Sequence, residues 1–307
     1  MKDFIMVCAV LMIFVNGATD TPGSVAGAVT SGALTYKRAS SLCAVGNVIG
    51  CIISCVFFPQ VAKNIASIAG ITDEGIAFSL VSAVLFSSVA WIFGIPTSES
   101  HGLIASLGGA SLRIRGNVGV NFGRMVAFSF LSCAVGAFAG YTAMKLIRRN
   151  NSGIEDYSCG LALSAFGSSF CHGAQDGQKF AVILALASSD GRLTAGVTLL
   201  SAVVLGIGCF FGGRRMINKL GGELVGGFRP AEAFASDVAA FGCTFLSSVA
   251  GIPVSTTYMK TFAMVGAAKA DKGRTDKKTL CELILTWSVT YPVCMGIAYV
   301  LCAVTSN

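Results

Sequence analysis

The chain has 307 residues, of which 54% are apolar and 12% are charged, and its formal net charge is +7. A soluble domain carries about 25% charged residues, so the composition excludes an ordinary water-soluble protein. The basic excess does not indicate a nucleic-acid partner, because the Lys and Arg residues lie in short connections between apolar runs, as in cytoplasmic loops.

Six runs contain no Asp, Glu, Lys or Arg, and each is long enough for a helix to cross a bilayer. Continuous apolar runs predict membrane-spanning helices, whereas a barrel would show short alternating segments. We therefore predict an all-α polytopic protein of the cell membrane, surrounded by lipid. The runs comprise residues 39–62, 75–98, 125–144, 193–213, 238–259 and 283–307.

The N-terminal stretch MKDFIMVCAVLMIFVNGATD has an apolar core of the kind found in signal peptides. Its charged start is weak, because Asp3 cancels the charge of Lys2. Part of the stretch recurs in the middle of the chain, where no signal peptidase acts. We therefore expect these residues to belong to the mature fold.

Two motifs occur twice in the chain. FVNGATD at 14–20 matches FCHGAQD at 170–176 with an offset of 156 residues. GIPTSESHGLIASLGGA at 94–110 matches GIPVSTTYMKTFAMVGA at 251–267 with an offset of 157 residues. Because the two offsets agree within one residue, they indicate an internal duplication. We predict two membrane repeats, residues 1–150 and 151–307, joined near RRNNSGIED at 148–156.

The first motif places one acidic residue in each half, Asp20 and Asp176, within apolar surroundings. An Asp at the bilayer centre costs about 2.5–3.5 kcal/mol, so such residues normally face a cavity and bind or move ions. The shared glycines, Gly17 and Gly173, predict that each helix is broken or thinned at this point, which would expose backbone groups to a ligand. The alternative is that both Asp residues cap helices at the membrane interface.

The second copy of this motif has further polar residues around its Asp, namely His172, Gln178 and Lys179. His172 and its counterpart Asn16 are assigned to cation coupling, and Gln178 and Lys179 to substrate binding. Lys179 lies three residues after Asp176, so mutual neutralisation is the alternative, and contact between Lys179 and the anion stays open. Gly23 stands at the position equivalent to Lys179, so the predicted site is asymmetric.

The second pair of motifs, with PTSESH at 96–101 and PVSTT at 253–257, is typical of a helix start. Free N–H groups and hydroxyls at the positive end of a helix bind anions. Two such half-helices that face each other would surround an oxyanion. The alternative is ordinary N-capping at a membrane surface.

Glu99 replaces the hydroxyl that Thr256 supplies in the other copy. Burial in a membrane cavity disfavours the charged form of a carboxyl group, so Glu99 is a candidate proton carrier for cation coupling. The alternative is an interfacial, permanently ionised Glu99.

These duplicated motifs resemble those of the inorganic phosphate transporter (PiT) family, whose signature is a repeated Gly-x-Asn-Asp motif and a repeated Pro-x-Ser-Thr-Thr-type motif. HGAQDGQK at 172–179 and GIPVSTT at 251–257 carry the resemblance most closely, and it covers essentially the whole chain. The resemblance implies two inverted-topology repeats with broken helices and re-entrant hairpins, roughly 10–12 membrane elements in all. It also implies phosphate symport with sodium or protons.

By the same resemblance, Asp20 and Asp176 would be carboxylates of the cation or phosphate sites, and both are candidate ligands of sodium. The implied oxyanion ligands are Ser98, Ser100, Ser255, Thr256 and Thr257. The family's Asn before each Asp is Thr19 in the first half and Gln175 in the second. An Asn that is usual in the family three residues after the first Asp is Gly23 here, and Lys179 fills the equivalent position in the second half. The loss of amide ligands puts a family-like sodium site in doubt and, together with Glu99, favours a proton as the coupled cation.

We therefore predict an importer of inorganic phosphate by cation symport, with no cofactor besides the co-transported ion and with a homodimer left open. The nearest rival is a permease for another oxyanion, such as sulfate. A channel is a further rival, but it would need rings of like groups along an open path. A membrane hydrolase built on Ser98, Glu99 and His101 is disfavoured, because these residues are too close in sequence to converge.

Overall fold

The computed structural model describes residues 1–69, 71–149, 158–188 and 190–305, and the regular structure within these ranges is helical. A 3-10 turn lies at Thr21–Val25, and a π-helical turn lies at Asn218–Leu224. The helices are α1 (Lys2–Thr19), α2 (Ala26–Thr30), α3 (Tyr36–Phe57), α4 (Gln60–Ala69), α5 (Asp73–Phe93), α6 (Glu99–Arg115), α7 (Gly119–Arg149), α8 (Ser158–Ala187), α9 (Ala195–Phe211), α10 (Arg214–Ile217), α11 (Pro230–Val249), α12 (Thr256–Ala270) and α13 (Lys277–Thr305).

Several of these helices are suited to a bilayer. Five described segments are long and apolar enough to span it, and α9 with its continuation to Leu224, bent by 65°, would make a sixth. Their outward faces carry exposed apolar side chains, such as Phe57, Leu85 and Val300, which lipid would cover. The predicted class, an all-α polytopic membrane protein, is confirmed. The five segments are Lys2–Thr30, Tyr36–Phe57, Asp73–Phe93, Gly119–Arg149 and Lys277–Val304.

Equivalent helices of the two halves make equivalent contacts. Helices α1, α3, α6 and α7 of the first half correspond to α8, α9, α12 and α13 of the second. The contact of α3 with α8 therefore corresponds to that of α9 with α1, and the contact of α7 with α12 corresponds to that of α13 with α6. Each of these four contacts joins one half of the chain to the other. The residues around the predicted boundary, 150–157, lie outside the described ranges. The domain limits and the inversion of the halves across a membrane stay predictions.

The glycines of the first motif pack helices together and do not break them. Helix α8 continues through Gly173, and Gly17 lies inside α1, so the predicted breaks at these glycines are wrong. A Cβ atom at Gly173 would overlap the carbonyl oxygen of Asn47, and one at Gly50 would overlap that of Phe170. The missing side chains let α3 and α8 approach closely. In the first half the helix ends later, at Thr19.

Two of the apolar runs do not form single helices. The run 238–259 is divided between α11, which ends at Val249, and α12, which begins at Thr256. Gly251 adopts a left-handed conformation (φ 72°) in the interruption, two residues before Pro253. The run 39–62 is divided in the same way at Pro59, between α3 and α4.

Helices α6 and α12 lie at the centre of the molecule. Every residue of α6 from Glu99 to Ser111 is buried, and most of α12 is buried too. Protein therefore encloses the N-terminal parts of both helices, and their polar N-terminal residues face other side chains and not lipid.

Candidate anion-binding site

The N-termini of α6 and α12 meet at the centre of the fold. Ser98 is the N-cap residue of α6 and Ser255 that of α12, where its hydroxyl accepts a hydrogen bond from the Tyr258 N–H (3.3 Å). The Oγ atoms of Ser98 and Ser255 are 3.0 Å apart. The prediction that both motifs start helices is confirmed. Two positive helix ends and their hydroxyls therefore converge on one point, as an oxyanion site requires.

Each motif aspartate accepts hydrogen bonds from the helix start of the other half. Ser100 Oγ donates to Asp176 Oδ1 (3.0 Å), and Thr257 Oγ1 donates to Asp20 Oδ1. Ser100 and Thr257 are equivalent in the repeat, as are the two aspartates. Thr256 Oγ1 adds a longer bond to Asp176 Oδ2 (3.4 Å). All four motifs therefore contribute to one buried cluster, which neither half forms alone.

Asp20 and Asp176 are buried within the protein. Asp176 lies inside α8, so it is not a helix cap. Asp20 follows the last residue of α1, but its carboxylate is bonded to Thr257 and not to the end of its own helix. The alternative of two interfacial caps therefore does not describe these side chains.

Lys179 is paired with Asp176, which agrees with the alternative that the two side chains neutralise each other. Its Nζ lies 2.8 Å from Asp176 Oδ1, 3.0 Å from Ser100 Oγ and 2.8 Å from the Val254 carbonyl oxygen. The side chain is buried. Three oxygen atoms of the protein thus surround the ammonium group.

His172 stands between the two aspartates. Its Nε2 lies 3.5 Å from Asp176 Oδ2 and 3.8 Å from Asp20 Oδ1. Ligand atoms of the three residues lie within 4.8 Å of one another, an arrangement that could hold a metal ion. Asn16, the counterpart of His172, is buried, and neither polar atom of its amide has a hydrogen-bond partner among the described residues.

Glu99 is held by hydroxyl groups. Its Oε1 accepts hydrogen bonds from Thr19 Oγ1 (2.6 Å) and Thr97 Oγ1 (3.1 Å), and the residue is fully buried. In the part of the chain that the structure describes, no Lys, Arg or His nitrogen lies within 4.0 Å of its carboxyl oxygens. Protein therefore encloses Glu99, and its carboxyl group is exposed neither to solvent nor to lipid.

A small cavity opens beside the cluster, next to Asp20, His172 and Thr257. Its volume of about 10 Å³ holds a single water molecule, which is much less than a tetrahedral oxyanion needs. The cavity would therefore have to widen to admit such an anion.

A sequence profile of the phosphate transporter family matches the chain twice, over residues 16–156 and 150–298. Together the two matches cover nearly all of it. The chain belongs to the phosphate transporter family.

Curated relatives support the same family membership. A protein of Bacillus subtilis named probable low-affinity inorganic phosphate transporter is 26% identical over 94% of this chain and 92% of its own length. One of the same name from Mycobacterium bovis is 29% identical over 94% of this chain and 74% of its own length. As a member of this family, the chain is a multi-pass membrane transporter and not an enzyme.

A solved structure described as the sodium-dependent phosphate transporter has the same fold. It superposes with a TM-score of 0.84, covering 99% of this chain and 98% of that one, at 18% sequence identity. At this identity the likeness concerns the fold alone.

The phosphate transporter fold also brings in residues that the motifs did not indicate. Lys260 lines the cavity, and its Nζ is paired with Asp237 Oδ1, whose Oδ2 accepts a hydrogen bond from Ser164 Oγ (3.2 Å). A signal for this buried pair was present, because Asp237 and Lys260 flank the charge-free run 238–259 on its two sides. The hydroxyl donors to Glu99, Thr19 and Thr97, were not assigned from the sequence either.

Gln178, assigned to the substrate, uses its amide elsewhere. Its Oε1 accepts a hydrogen bond from the Ala62 N–H (3.3 Å), and its Nε2 donates to the Ala174 carbonyl (2.9 Å). The amide therefore joins α8 to α4 and does not bond to the aspartates.

The hydrolase alternative has no geometric support in the phosphate transporter fold. His101 packs against the rings of Tyr258 (4.2 Å between centroids) and Tyr291 (5.0 Å), and neither of its nitrogens has a hydrogen-bond partner in the described residues. Ser98 bonds to Ser255 and not to His101.

Proposed function

We propose that this member of the phosphate transporter family imports inorganic phosphate across the cell membrane by symport with a cation. The observation that carries the proposal is the meeting of Ser98 and Ser255 at the N-termini of α6 and α12, between the two aspartates. Because this cluster takes residues from both halves, a movement of one half against the other would open it to one side at a time.

Phosphate fits the free acceptor of the site better than sulfate does. Asp20 Oδ2 is buried and has no hydrogen-bond partner among the described residues. Phosphate at neutral pH still carries a proton, so its hydroxyl would donate a hydrogen bond to this oxygen, whereas sulfate carries no proton and would be repelled by the carboxylate. This contact would need the small cavity beside Asp20 to widen.

Two groups are candidates for the coupled cation, and we favour the proton. Glu99 is a buried carboxyl group without a cationic partner within ion-pair distance in the described residues, and burial of an unpaired carboxylate is costly, so binding of a proton would relieve that cost. Sodium is the alternative, with Asp20, His172 and Asp176 as ligands.

Uptake by purified protein in proteoliposomes tests this proposal. We expect accumulation of ³²P-labelled phosphate under an inward proton gradient, with no suppression by excess unlabelled sulfate. The same vesicles under an inward sodium gradient serve as the comparison that identifies the cation. Suppression by sulfate would indicate that the substrate is another oxyanion. Accumulation without either gradient would show that transport is not coupled to a cation.

A further inference from the structure

The two equivalent aspartates differ in the residue that lies three positions after them. Residues 156 positions apart correspond in the first motif, so Asp20 corresponds to Asp176 and Gly23 corresponds to Lys179. The second half therefore places an ammonium group beside its Asp, and the first half has a glycine at that position. Lys260, the other buried lysine near the cavity, is already paired with Asp237 and does not supply the missing charge.

Lys179 has the surroundings of a bound alkali cation. Its Nζ is within 2.8–3.0 Å of the Asp176 carboxylate, the Ser100 hydroxyl and the Val254 carbonyl. Carboxylates, hydroxyls and the carbonyls of an interrupted helix are the oxygen ligands with which transporters hold sodium. The ammonium group carries the same single charge but is fixed to α8 by its own side chain.

The same ligand types exist in the first half without a lysine. The residues equivalent to Asp176, Ser100 and Val254 are Asp20, Thr257 and Thr97. Thr257 Oγ1 bonds to Asp20 Oδ1, as Ser100 bonds to Asp176. Asp20 Oδ2 and the amide of Asn16 are buried and lack hydrogen-bond partners in the described part of the chain. The first half thus has two oxygen atoms, Asp20 Oδ2 and Asn16 Oδ1, that could bind a cation.

Asp20 also has a weaker cationic neighbour than Asp176 has. Its closest ion-pair contact in the described residues is His172 Nε2 at 3.8 Å, whereas Lys179 Nζ lies 2.8 Å from Asp176. An exchangeable cation at the first half would therefore meet a carboxylate that no fixed ammonium group neutralises.

We propose that Lys179 is a built-in cation that permanently fills one of two equivalent cation sites. Only the other site, formed by Asp20 with Thr257, Thr97 and Asn16, then binds an exchangeable cation. This inference rests on the symport proposed above and concerns its sodium alternative. It assigns the co-transported sodium to the first-half oxygens in place of the set Asp20, His172 and Asp176, and it leaves Glu99 as the candidate that binds a proton. It also predicts that the chain holds at most one sodium ion at the paired sites.

Replacement of Lys179 with a neutral ligand tests the proposal without any transport assay. Lys179→Asn frees the oxygens of Asp176, Ser100 and Val254 and adds an amide oxygen, so it should create a new sodium site. We expect sodium, titrated against choline at constant ionic strength without phosphate, to raise the melting midpoint of this variant. At a sodium concentration 100 times its Kd, the rise should be about 5 °C.

Lys179→Arg is the matched control, because it keeps a fixed positive charge beside Asp176. Its response to sodium should equal that of the unchanged protein. Equal responses of the Asn and Arg variants would overturn the proposal. So would a loss of ³²P-phosphate binding by Lys179→Asn without any gain in sodium response, since Lys179 would then be an anion ligand.

Sodium binding to the unchanged protein keeps the proposal falsifiable if neither variant folds. Equilibrium binding of ²²Na⁺ to the purified chain with phosphate present should saturate at no more than one ion per chain. Two ions would overturn the proposal. These readouts do not depend on uptake, so a failure of the proposed symport would be seen separately.

Discussion

Glu99 shows how single residues decide what the site can bind. Two hydroxyl donors hold its carboxyl group, and Thr256, its counterpart in the other half, has a hydroxyl that bonds to Asp176 instead. A proton could therefore bind to this carboxyl group without displacing the two hydroxyl groups, whereas a metal cation would have to displace them.

Glu99→Gln tests the proton assignment. Glutamine keeps an oxygen acceptor for Thr19 and Thr97 but cannot titrate, so we expect folded protein whose phosphate uptake no longer responds to an inward proton gradient. Initial rates of ³²P uptake between pH 5.5 and pH 8 measure this. Asp73→Asn, at an exposed position in the first turn of α5, is the control and should keep the response. An unchanged response in Glu99→Gln would exclude Glu99 as the carrier.

Asp176→Asn should stop uptake and also destabilise the protein. Removal of one partner from a buried ion pair leaves an uncompensated charge and costs about 3–5 kcal/mol. A fall in the melting midpoint in detergent would show this cost.

The double variant Asp176→Asn/Lys179→Met separates the two effects. Because it removes both charges, it should recover most of the melting midpoint while uptake stays absent. If the double variant melts as low as Asp176→Asn, the unpaired lysine is not the cause of the instability.

The local sequence predicted where helices start better than it predicted whether they continue. The Gly-x-Pro and hydroxyl pattern located the starts of α6 and α12, because caps and prolines act within a few residues. Gly173 was predicted to break a helix, since glycine serves equally in breaks and in close packing. Which of the two applies depends on Asn47, which lies on another helix and far away in the sequence.

Gly173→Ala should destabilise the contact between α3 and α8. The added methyl group would overlap the Asn47 carbonyl oxygen, and overpacking of this kind costs about 1–3 kcal/mol. Gly296→Ala is the matched control, because Gly296 lies within α13 and its Cβ would meet nothing within 4 Å. We expect a lower melting midpoint for Gly173→Ala and an equal or higher one for Gly296→Ala. Equal midpoints would contradict the close approach of the two helices.

At the scale of the whole molecule, the repeat offsets predicted which residues correspond but not which of them touch. The contacts of Ser98 with Ser255 and of Thr257 with Asp20 depend on how the halves pack, which no local pattern encodes. The pair of Lys260 with Asp237 was missed for a related reason, because its members lie on different helices of the second half.

The proposed anion site takes Ser98 from one half of the chain and Ser255 from the other. Equilibrium binding of ³²P-phosphate to purified Ser98→Ala and Ser255→Ala variants tests it most directly. A hydrogen bond to a charged group contributes about 1.5–3 kcal/mol, so each variant should bind phosphate roughly tenfold to a hundredfold more weakly. Ser248→Ala should bind normally, because the Ser248 hydroxyl donates to the Thr244 carbonyl of its own helix and has no other hydrogen-bond partner among the described residues. Weakening by both Ser98→Ala and Ser255→Ala is the predicted result, and weakening by only one of them, or by neither, would contradict a shared site.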